Sequence, residues 1–225
     1  MNGILLVDKP EGWTSHDVVA KVRGIIKANT GQKVKVGHTG TLDPMATGLL
    51  VLVLGSYTKR AGEFSKLDKV YEAELTLGVT SPTGDKEGEL TETSDEQPEK
   101  TTAEAVLGRF EGEILQKPHI YSAVKINGQR AYKAARAGKT VEIEPRKVTI
   151  SQLLITSYQY PKLKITCKVS SGTYIRSLAE DIGQALGTGA YLSALRRTQV
   201  GSLVVSEALK LEALSNENIA KHLAN

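Results

Sequence analysis

Two stretches in which apolar and polar residues strictly alternate are the features that most restrict the fold of this chain. In 71–77 (YEAELTL) and 163–169 (LKITCKV), apolar and polar side chains alternate at every position. A period of two is typical of a strand that buries one face, and clean alternation favours an antiparallel sheet with one covered face. Cys167 belongs to the apolar set of the second stretch, so we interpret it as a small buried residue and not as a nucleophile.

Helical periodicity elsewhere predicts an α+β (mixed α/β) fold, in which helices flank a largely antiparallel central sheet. Apolar residues recur at helical spacing in 15–31, with Ser15 as the predicted N-cap. A second helix is predicted over 173–189, and 190–198 (AYLSALRRT) is expected to add a further helical turn. The tail, 206–225, is also predicted to be helical.

Two apolar segments near the N-terminus complete this pattern. Residues 3–10 (GILLVDKP) predict a short strand that Pro10 stops. The run 49–55 (LLVLVLG) fits either a buried strand or a helix, because continuous apolar residues carry no period.

Length and composition exclude several classes of protein. The 225 residues allow one large domain or two small ones, and the longest apolar run, six residues, is far too short to span a membrane. No secretory signal is recognisable, so we expect a cytoplasmic protein. Cys167 is the only cysteine and the four histidines are scattered, so a metal site is not predicted. No nucleotide-binding glycine motif occurs.

Residues 37–48 (GHTGTLDPMATG) are predicted to form a loop with three glycines and three threonines, and Asp43 lies near its centre. One interpretation is structural: Asp43 caps a short helix that Pro44 begins, since Asp is a favoured N-cap and Pro a favoured first helical residue. The other is chemical: Asp43 is a reactive carboxylate held on a rigid turn. The residues of the loop alone leave both interpretations open.

Two features of the charge distribution each indicate a negatively charged partner, one outside the protein and one within the fold. Between His119 and Lys147 there are seven bases and two acids, whereas the net charge of the whole chain is only +4. Such a local basic block suits a polyanion, although a solvated helix face would have the same composition.

Arg176 falls in the first turn of its predicted helix, where the helix dipole disfavours a cation. A carboxylate from elsewhere in the fold would compensate, and the alternative is a solvent-exposed arginine.

Several motifs, in this order, resemble the tRNA pseudouridine-55 synthase family of bacteria. The resemblance covers roughly Ile4 to Val205, and the stretches that carry it are LLVDKPEGWTSHDVV, GHTGTLDPMATGLL, KVYEAELTLG, YSAVKINGQRAYKAARAG, SSGTYIRSLAEDIG and GAYLSALRRTQVG. It implies an enzyme that isomerises a uridine in the T-loop of tRNA to pseudouridine, without cofactor or metal. It also favours the chemical interpretation of Asp43.

By this resemblance, Asp43 matches the essential carboxylate of the family, acting either as a nucleophile or as a base toward a glycal intermediate. Arg176 matches the arginine that pairs with it. Tyr71 matches the tyrosine that stacks on the uracil and transfers a proton late in the reaction. The resemblance adds four substrate-binding residues: His38, which fills the space of the flipped nucleotide, Tyr174 and Leu195, which line the uracil pocket, and Lys59, which contacts phosphate.

The basic block matches a family insertion, at about 119–147, that grips the T-arm of tRNA. Its predicted RNA contacts are Lys125, Arg130, Lys133 and Arg136. We expect a monomer in which 1–225 form a single catalytic domain that lacks the small C-terminal RNA-binding domain usual in the family. A non-catalytic tRNA-binding or RNA-folding protein with the same surface is the main alternative. A nucleotide-dependent transferase is disfavoured, because the loop lacks the phosphate-binding lysine.

Overall fold

A computed structural model of the chain describes residues 1–120 and 143–224, together with the backbone of 125–126 and 129–130. The chain divides into two compact units. The terminal unit contains Met1–Glu72 and Leu195–Asn225, and the central unit contains Ala73–Ala194. The division passes through the middle of two long strands, β4 (Lys69–Leu77) and β12 (Ala190–Val200), so each strand contributes one half to each unit.

The terminal unit is built on three strands that pair with β3 (Thr47–Leu54). β1 (Gly3–Lys9) and β2 (Val36–His38) are antiparallel to it, with Val7 opposite Leu50, and β12 is parallel to it. Seven of the eight residues of β3 are buried. A strand paired in this way accounts for the continuous apolar run, so the strand interpretation of 49–55 is confirmed. The unit also contains the short elements β13 (Leu203–Val204), β14 (Leu209–Lys210), α2 (Ala61–Ser65) and α5 (Asn216–Lys221).

Helix α1 (Ser15–Thr30) has well-defined ends. Thr14, and not Ser15, is the N-cap: its hydroxyl accepts from the Asp17 backbone N–H, and Asp17 in turn accepts from the Thr14 N–H. This reciprocal capping box satisfies two helix-start donors. At the other end Gly31 adopts φ +69°, a left-handed conformation, and donates to the carbonyl of Lys27. The prediction of Ser15 as the cap was therefore wrong by one residue.

The central unit combines antiparallel strands with two longer helices. β10 (Arg146–Gln159) pairs on one side with β11 (Lys162–Val169) and on the other with β7 (Gly112–Gln116), all antiparallel, and β11 neighbours the second half of β4. The apolar residues of β11 are buried and the polar ones alternate outward, as the sequence predicts, and Cys167 is buried among them. Helices α3 (Lys100–Leu107) and α4 (Ile175–Ala185) contact each other. Short pairs complete the unit: β5 (Val79–Thr80) with β6 (Thr91–Glu92), and β8 (Lys125–Ile126) with β9 (Gln129–Arg130).

The predicted fold class, α+β with a mostly antiparallel sheet and flanking helices, is confirmed. Two local predictions were wrong. Residues 190–198 form β12 and not a helical turn, because neighbouring strands supply partners that a local pattern does not reveal. In the tail, only Asn216–Lys221 is an α-helix, since the preceding residues form short strands and 3₁₀ turns.

Candidate active site

Asp43 lies in the loop between β2 and β3, on a β-turn. The Ala46 N–H donates to the Asp43 carbonyl at 3.1 Å, so Pro44 and Met45 occupy the two central turn positions. Asp before Pro is a favoured start of such a turn. No α-helix begins here, so the capping interpretation of Asp43 was wrong, and its half-buried carboxylate is left to other partners.

Arg197, on β12, holds the loop from one side. Its guanidinium donates to three backbone carbonyls: Leu49 at 2.8 Å, Gly40 at 3.0 Å and Thr41 at 3.5 Å. The side chain is buried. A guanidinium presents five donors in a planar fork, so one side chain can tie several carbonyls at fixed angles. Gly48, at φ +98°, permits the approach, because a Cβ there would lie 2.3 Å from the Arg197 carbonyl oxygen.

The two residues that flank Asp43 are fixed from the other side. The Ser15 hydroxyl accepts from the Leu42 N–H at 2.8 Å and donates to the Leu42 carbonyl at 3.0 Å. The Gly12 N–H donates to the carbonyl of Pro44 at 2.8 Å. Ser15 therefore acts on the loop and not on the helix end. Backbone hydrogen bonds on both sides of Asp43 leave its Cα little freedom.

Lys9 is a further buried cation at this loop. Its side chain is fully buried at the end of β1, and its ammonium donates to the carbonyls of Trp13 at 2.6 Å, Pro10 at 3.0 Å and Pro44 at 3.4 Å. Burial lowers the pKa of Lys9 to about 8, and the negative charge of Asp43 opposes that shift. Desolvation outweighs the attraction. Sequence reasoning missed Lys9, because a lysine before Pro10 at a strand end gives no local sign of burial.

Five of the predicted site residues belong to the terminal unit. Besides Asp43, His38 is half-buried at the end of β2, and Tyr71 is buried on β4 with 8% of its surface exposed. Leu195 is half-buried on β12, and Lys59 is exposed in the 3₁₀ turn that follows β3. The structure thus places them on five different elements or loops of one unit.

Arg176 and Tyr174 belong to the central unit, at the start of α4. The Arg176 side chain is 10% exposed, so the alternative of a solvent-exposed arginine was wrong. Its guanidinium donates to the Asp85 carboxylate at 3.2 Å and to the Thr83 carbonyl at 3.0 Å. The compensating carboxylate expected from elsewhere in the fold is therefore present as Asp85. The predicted pair between Arg176 and Asp43 stays a prediction.

Asp85 is another residue that sequence reasoning missed. It is buried, and its other carboxylate oxygen accepts from the Thr83 hydroxyl at 2.7 Å and from the Glu87 N–H at 3.1 Å. Before it, Gly84 turns the chain at φ +70° and donates to the Ser81 carbonyl. The Thr-Gly-Asp turn was the available signal, but it opens an acid-rich stretch that resembles an ordinary surface loop.

Gln116, at the end of β7, fixes the backbone of Tyr174. Its side-chain carbonyl accepts from the Tyr174 N–H at 2.8 Å, and its side-chain amide donates to the Tyr174 carbonyl at 3.1 Å. Gln116 is 1% exposed. Tyr174 occupies the N-cap position of α4, and its side chain makes no capping hydrogen bond. The paired amide contacts therefore position the N-cap residue of the helix that carries Arg176.

The remaining predictions fall partly outside the described residues. Lys125 and Arg130 are opposite each other in the backbone register of the β8–β9 pair, whereas Lys133 and Arg136 lie outside the described part of the chain. Within the residues that the structure describes, no group of three potential metal ligands comes together. Over the same residues, no helix is long and apolar enough to cross a membrane.

Two family models match the chain in succession. The TruB family pseudouridylate synthase N-terminal domain matches residues 26–175, and the tRNA pseudouridylate synthase B C-terminal domain matches residues 176–224. The predicted single-domain organisation stays a prediction beside these two matches.

Individual relatives agree with the family models. A protein of Burkholderia lata named tRNA pseudouridine synthase B is 46% identical over 98% of this chain and 67% of its own length. One of Stutzerimonas stutzeri with the same name is 46% identical over 95% of this chain and 68% of its own. The chain thus spans about two thirds of the length of these relatives.

Solved structures show the same fold. A Cbf5-Nop10-Gar1 complex matches with a TM-score of 0.74 and 30% identity, over 96% of this chain and 54% of the matched chain. An H/ACA RNP bound to a substrate RNA containing 2′-deoxyuridine matches with a TM-score of 0.71 and 27% identity, over 96% and 53%. The chain spans about half of each solved chain. On the family models and the curated relatives together, this chain belongs to the TruB family of pseudouridylate synthases, which are isomerases.

Proposed function

We propose that this protein isomerises a uridine in the T-loop of tRNA, at position 55, with Asp43 as the essential carboxylate. The observation that carries the proposal is the loop around Asp43. Lys9, Arg197 and Ser15 together hold the loop backbone on both sides of this residue. A capping or purely structural aspartate needs no such support, whereas catalysis requires a carboxylate held in one position.

The proposed reaction conserves every atom of the nucleotide. The bond from N1 of uracil to the ribose C1′ breaks, the uracil turns, and a bond from C5 to C1′ forms. The proton on C5 is released and N1 gains a proton. A carboxylate suits this sequence, because it can attack as a nucleophile and later leave, or abstract a proton on the path to a glycal.

The other site residues take defined parts in the proposal. Arg176, whose guanidinium is held by Asp85, is the proposed partner of the Asp43 carboxylate in the working enzyme. Tyr71 stacks on the uracil and accepts the C5 proton. His38 fills the space that the flipped nucleotide leaves, which offsets part of the cost of unstacking a base. Tyr174 and Leu195 line the uracil pocket, and Lys59 contacts a phosphate.

tRNA is the proposed substrate, because the relatives are named for it and one structural neighbour holds a substrate RNA. Residues 119–147 supply the basic contacts to the T-arm through Lys125, Arg130, Lys133 and Arg136. We propose that the enzyme acts as a cytoplasmic monomer without cofactor or metal. Phosphate contacts of this kind make binding strongly salt-dependent.

The test is the conversion of an unmodified tRNA transcript by purified protein, in the presence of a chelator and without nucleotide. Pseudouridine should form at position 55 alone. Asp43→Asn should lower the single-turnover rate by on the order of 10⁴-fold or more, as removal of a nucleophile does in other enzymes. Asp68→Asn is the matched control, because Asp68 is an exposed aspartate of the same unit.

Two outcomes would contradict the proposal. One is conversion by Asp43→Asn at the rate of Asp68→Asn. The other is tight tRNA binding by the wild type with no conversion, which would favour the non-catalytic RNA-binding alternative. Tyr71→Phe separates the two parts assigned to Tyr71: stacking survives the loss of the hydroxyl, whereas proton transfer does not.

A further inference from the structure

A shallow groove on the outer face of α1 combines cations with very small side chains. It is lined by Ala20, Arg23, Gly24, Lys27, Lys33 and Val34, all within the terminal unit. Positions 20, 23, 24 and 27 follow one face of the helix at helical spacing. The left-handed turn at Gly31 ends the helix and brings Lys33 and Val34 back to the same groove.

The charge of this groove is not neutralised by the protein. Between Ser15 and Gly37 there are five bases and one acid, so this stretch carries +4, as much as the whole chain. The one acid, Asp17, is committed to the capping box. Within the described residues, none of Arg23, Lys27 and Lys33 forms an ion pair.

Several exposed lysines elsewhere have a counter-charge supplied by the fold. Ion pairs within 4.0 Å join Lys100 to Glu104, Lys147 to Glu113 and Lys221 to Glu217. The groove therefore concentrates exposed cations where the fold supplies no counter-charge. Such a surface attracts a polyanion, whose phosphates replace the missing carboxylates.

Gly24 gives an independent indication that something approaches the helix closely. Glycine in a helix interior is destabilising relative to alanine, because it increases the backbone entropy of the unfolded chain. The protein's own packing does not require it, since a Cβ at Gly24 would meet no atom within 4 Å. With Ala20 one turn earlier, it leaves the floor of the groove with no side chain larger than a methyl group between the flanking cations.

We propose that this groove on α1 binds the sugar–phosphate backbone of the RNA substrate, as a contact additional to the predicted basic insertion. Arg23, Lys27 and Lys33 contact phosphates, and the bare surface at Ala20 and Gly24 lets the backbone reach them. The proposal rests on the proposed function in taking RNA as the ligand. It concerns binding and register only, since phosphate contacts position a nucleic acid without reading its sequence.

The experiment measures the dissociation constant of an unmodified tRNA transcript as a function of salt. The triple variant R23Q/K27Q/K33Q removes the three cations and keeps long helix-compatible side chains. We expect affinity to fall about tenfold or more, and the slope of log affinity against log salt to fall by about 2 to 3, since each phosphate contact contributes roughly one unit. With saturating tRNA, kcat should be unchanged while KM rises.

The matched control is K100Q/K210Q/K221Q, which removes the same charge from three exposed lysines outside the groove. Gly24→Gln provides a second variant that leaves the charge intact. It should unfold at or above the wild-type temperature, because it replaces a helix-interior glycine by a better helix former, and yet bind tRNA more weakly.

Equal affinities and salt slopes for the groove triple and the control triple would overturn the inference. If Gly24→Gln binds tRNA with wild-type affinity, the proposed close approach of the RNA backbone to Gly24 is wrong. Because the deciding readout is the dissociation constant and not conversion, the result is independent of the catalytic proposal. If the wild type makes no pseudouridine but the groove variant still binds tRNA more weakly than the control, only the proposed activity is refuted.

Discussion

The substitution Arg197→Met tests whether a buried guanidinium holds the loop that carries Asp43. Arg197 makes two short hydrogen bonds, at 2.8 Å to the Leu49 carbonyl and 3.0 Å to the Gly40 carbonyl, and a longer one to Thr41. Leaving a buried acceptor without its donor costs about 1–3 kcal/mol. Methionine fills much of the same volume, so the cavity contribution is small. Two lost short bonds therefore predict a decrease of roughly 2–6 kcal/mol in the free energy of unfolding.

The effect on catalysis should exceed what the loss of stability explains. A loop released at Gly40 and Thr41 lets Asp43 move, and a displacement of about 1 Å can slow an oriented reaction on the order of 100-fold. We expect that decrease in the single-turnover rate under conditions where the variant is fully folded. Arg197→Lys keeps the charge but not the planar fork, so it should restore only part of the rate.

Urea unfolding, followed by the fluorescence of the single tryptophan, Trp13, measures the stability. Arg196→Met is the matched control, because Arg196 is the neighbouring arginine on β12 and pairs with Asp8 at 2.8 Å near the surface. An ion pair with one side chain 36% exposed should contribute about 1 kcal/mol or less. Equal losses in the two variants would refute the reasoning that three backbone carbonyls depend on Arg197.

Two further predictions concern the other buried charges. Lys9 has a folded-state pKa of about 8 against 10.5 when unfolded, so between these values the unfolded chain binds more protons and stability should rise with pH, by up to about 3 kcal/mol. Burial also lowers the pKa of Lys69 to about 8, so both proteins keep the part of the rise that Lys69 contributes. Lys9→Met should therefore show a smaller rise than the wild type when urea midpoints are compared from pH 7.5 to 10.5, and parallel curves for the two proteins would contradict it. Asp85→Asn removes the negative charge that pairs with Arg176, and both side chains are at most 10% exposed. It should therefore lower the free energy of unfolding, measured with urea, by about 3 kcal/mol, and it should also lower the conversion rate. Glu87→Gln, an exposed change two residues away, serves as control, and a similar loss there would contradict the assigned role of Asp85.

Local patterns predicted those elements whose burial is one-sided and regular. The alternation in β4 and β11 and the helical spacing in α1 and α4 are each read from a few consecutive residues, and all four elements formed. The family resemblance could be recognised from sequence for a related reason, because its motifs are contiguous. By contrast, β12 was missed: its pairing depends on strands more than a hundred residues away in the chain.

Among the site residues, Asp43 shows most clearly the difference between what a local pattern predicts and what distant contacts decide. Asp followed by Pro favours a helix start and a β-turn alike. The structure adopts the turn, which Lys9, Gly12, Ser15 and Arg197 contact from outside the loop. The sequence by itself thus determined which residue types carry charge and where the chain bends. The tertiary structure decided which charges are buried, as at Lys9 and Arg197. Burial of a cation depends on carbonyl groups that distant segments supply, and no local pattern records them.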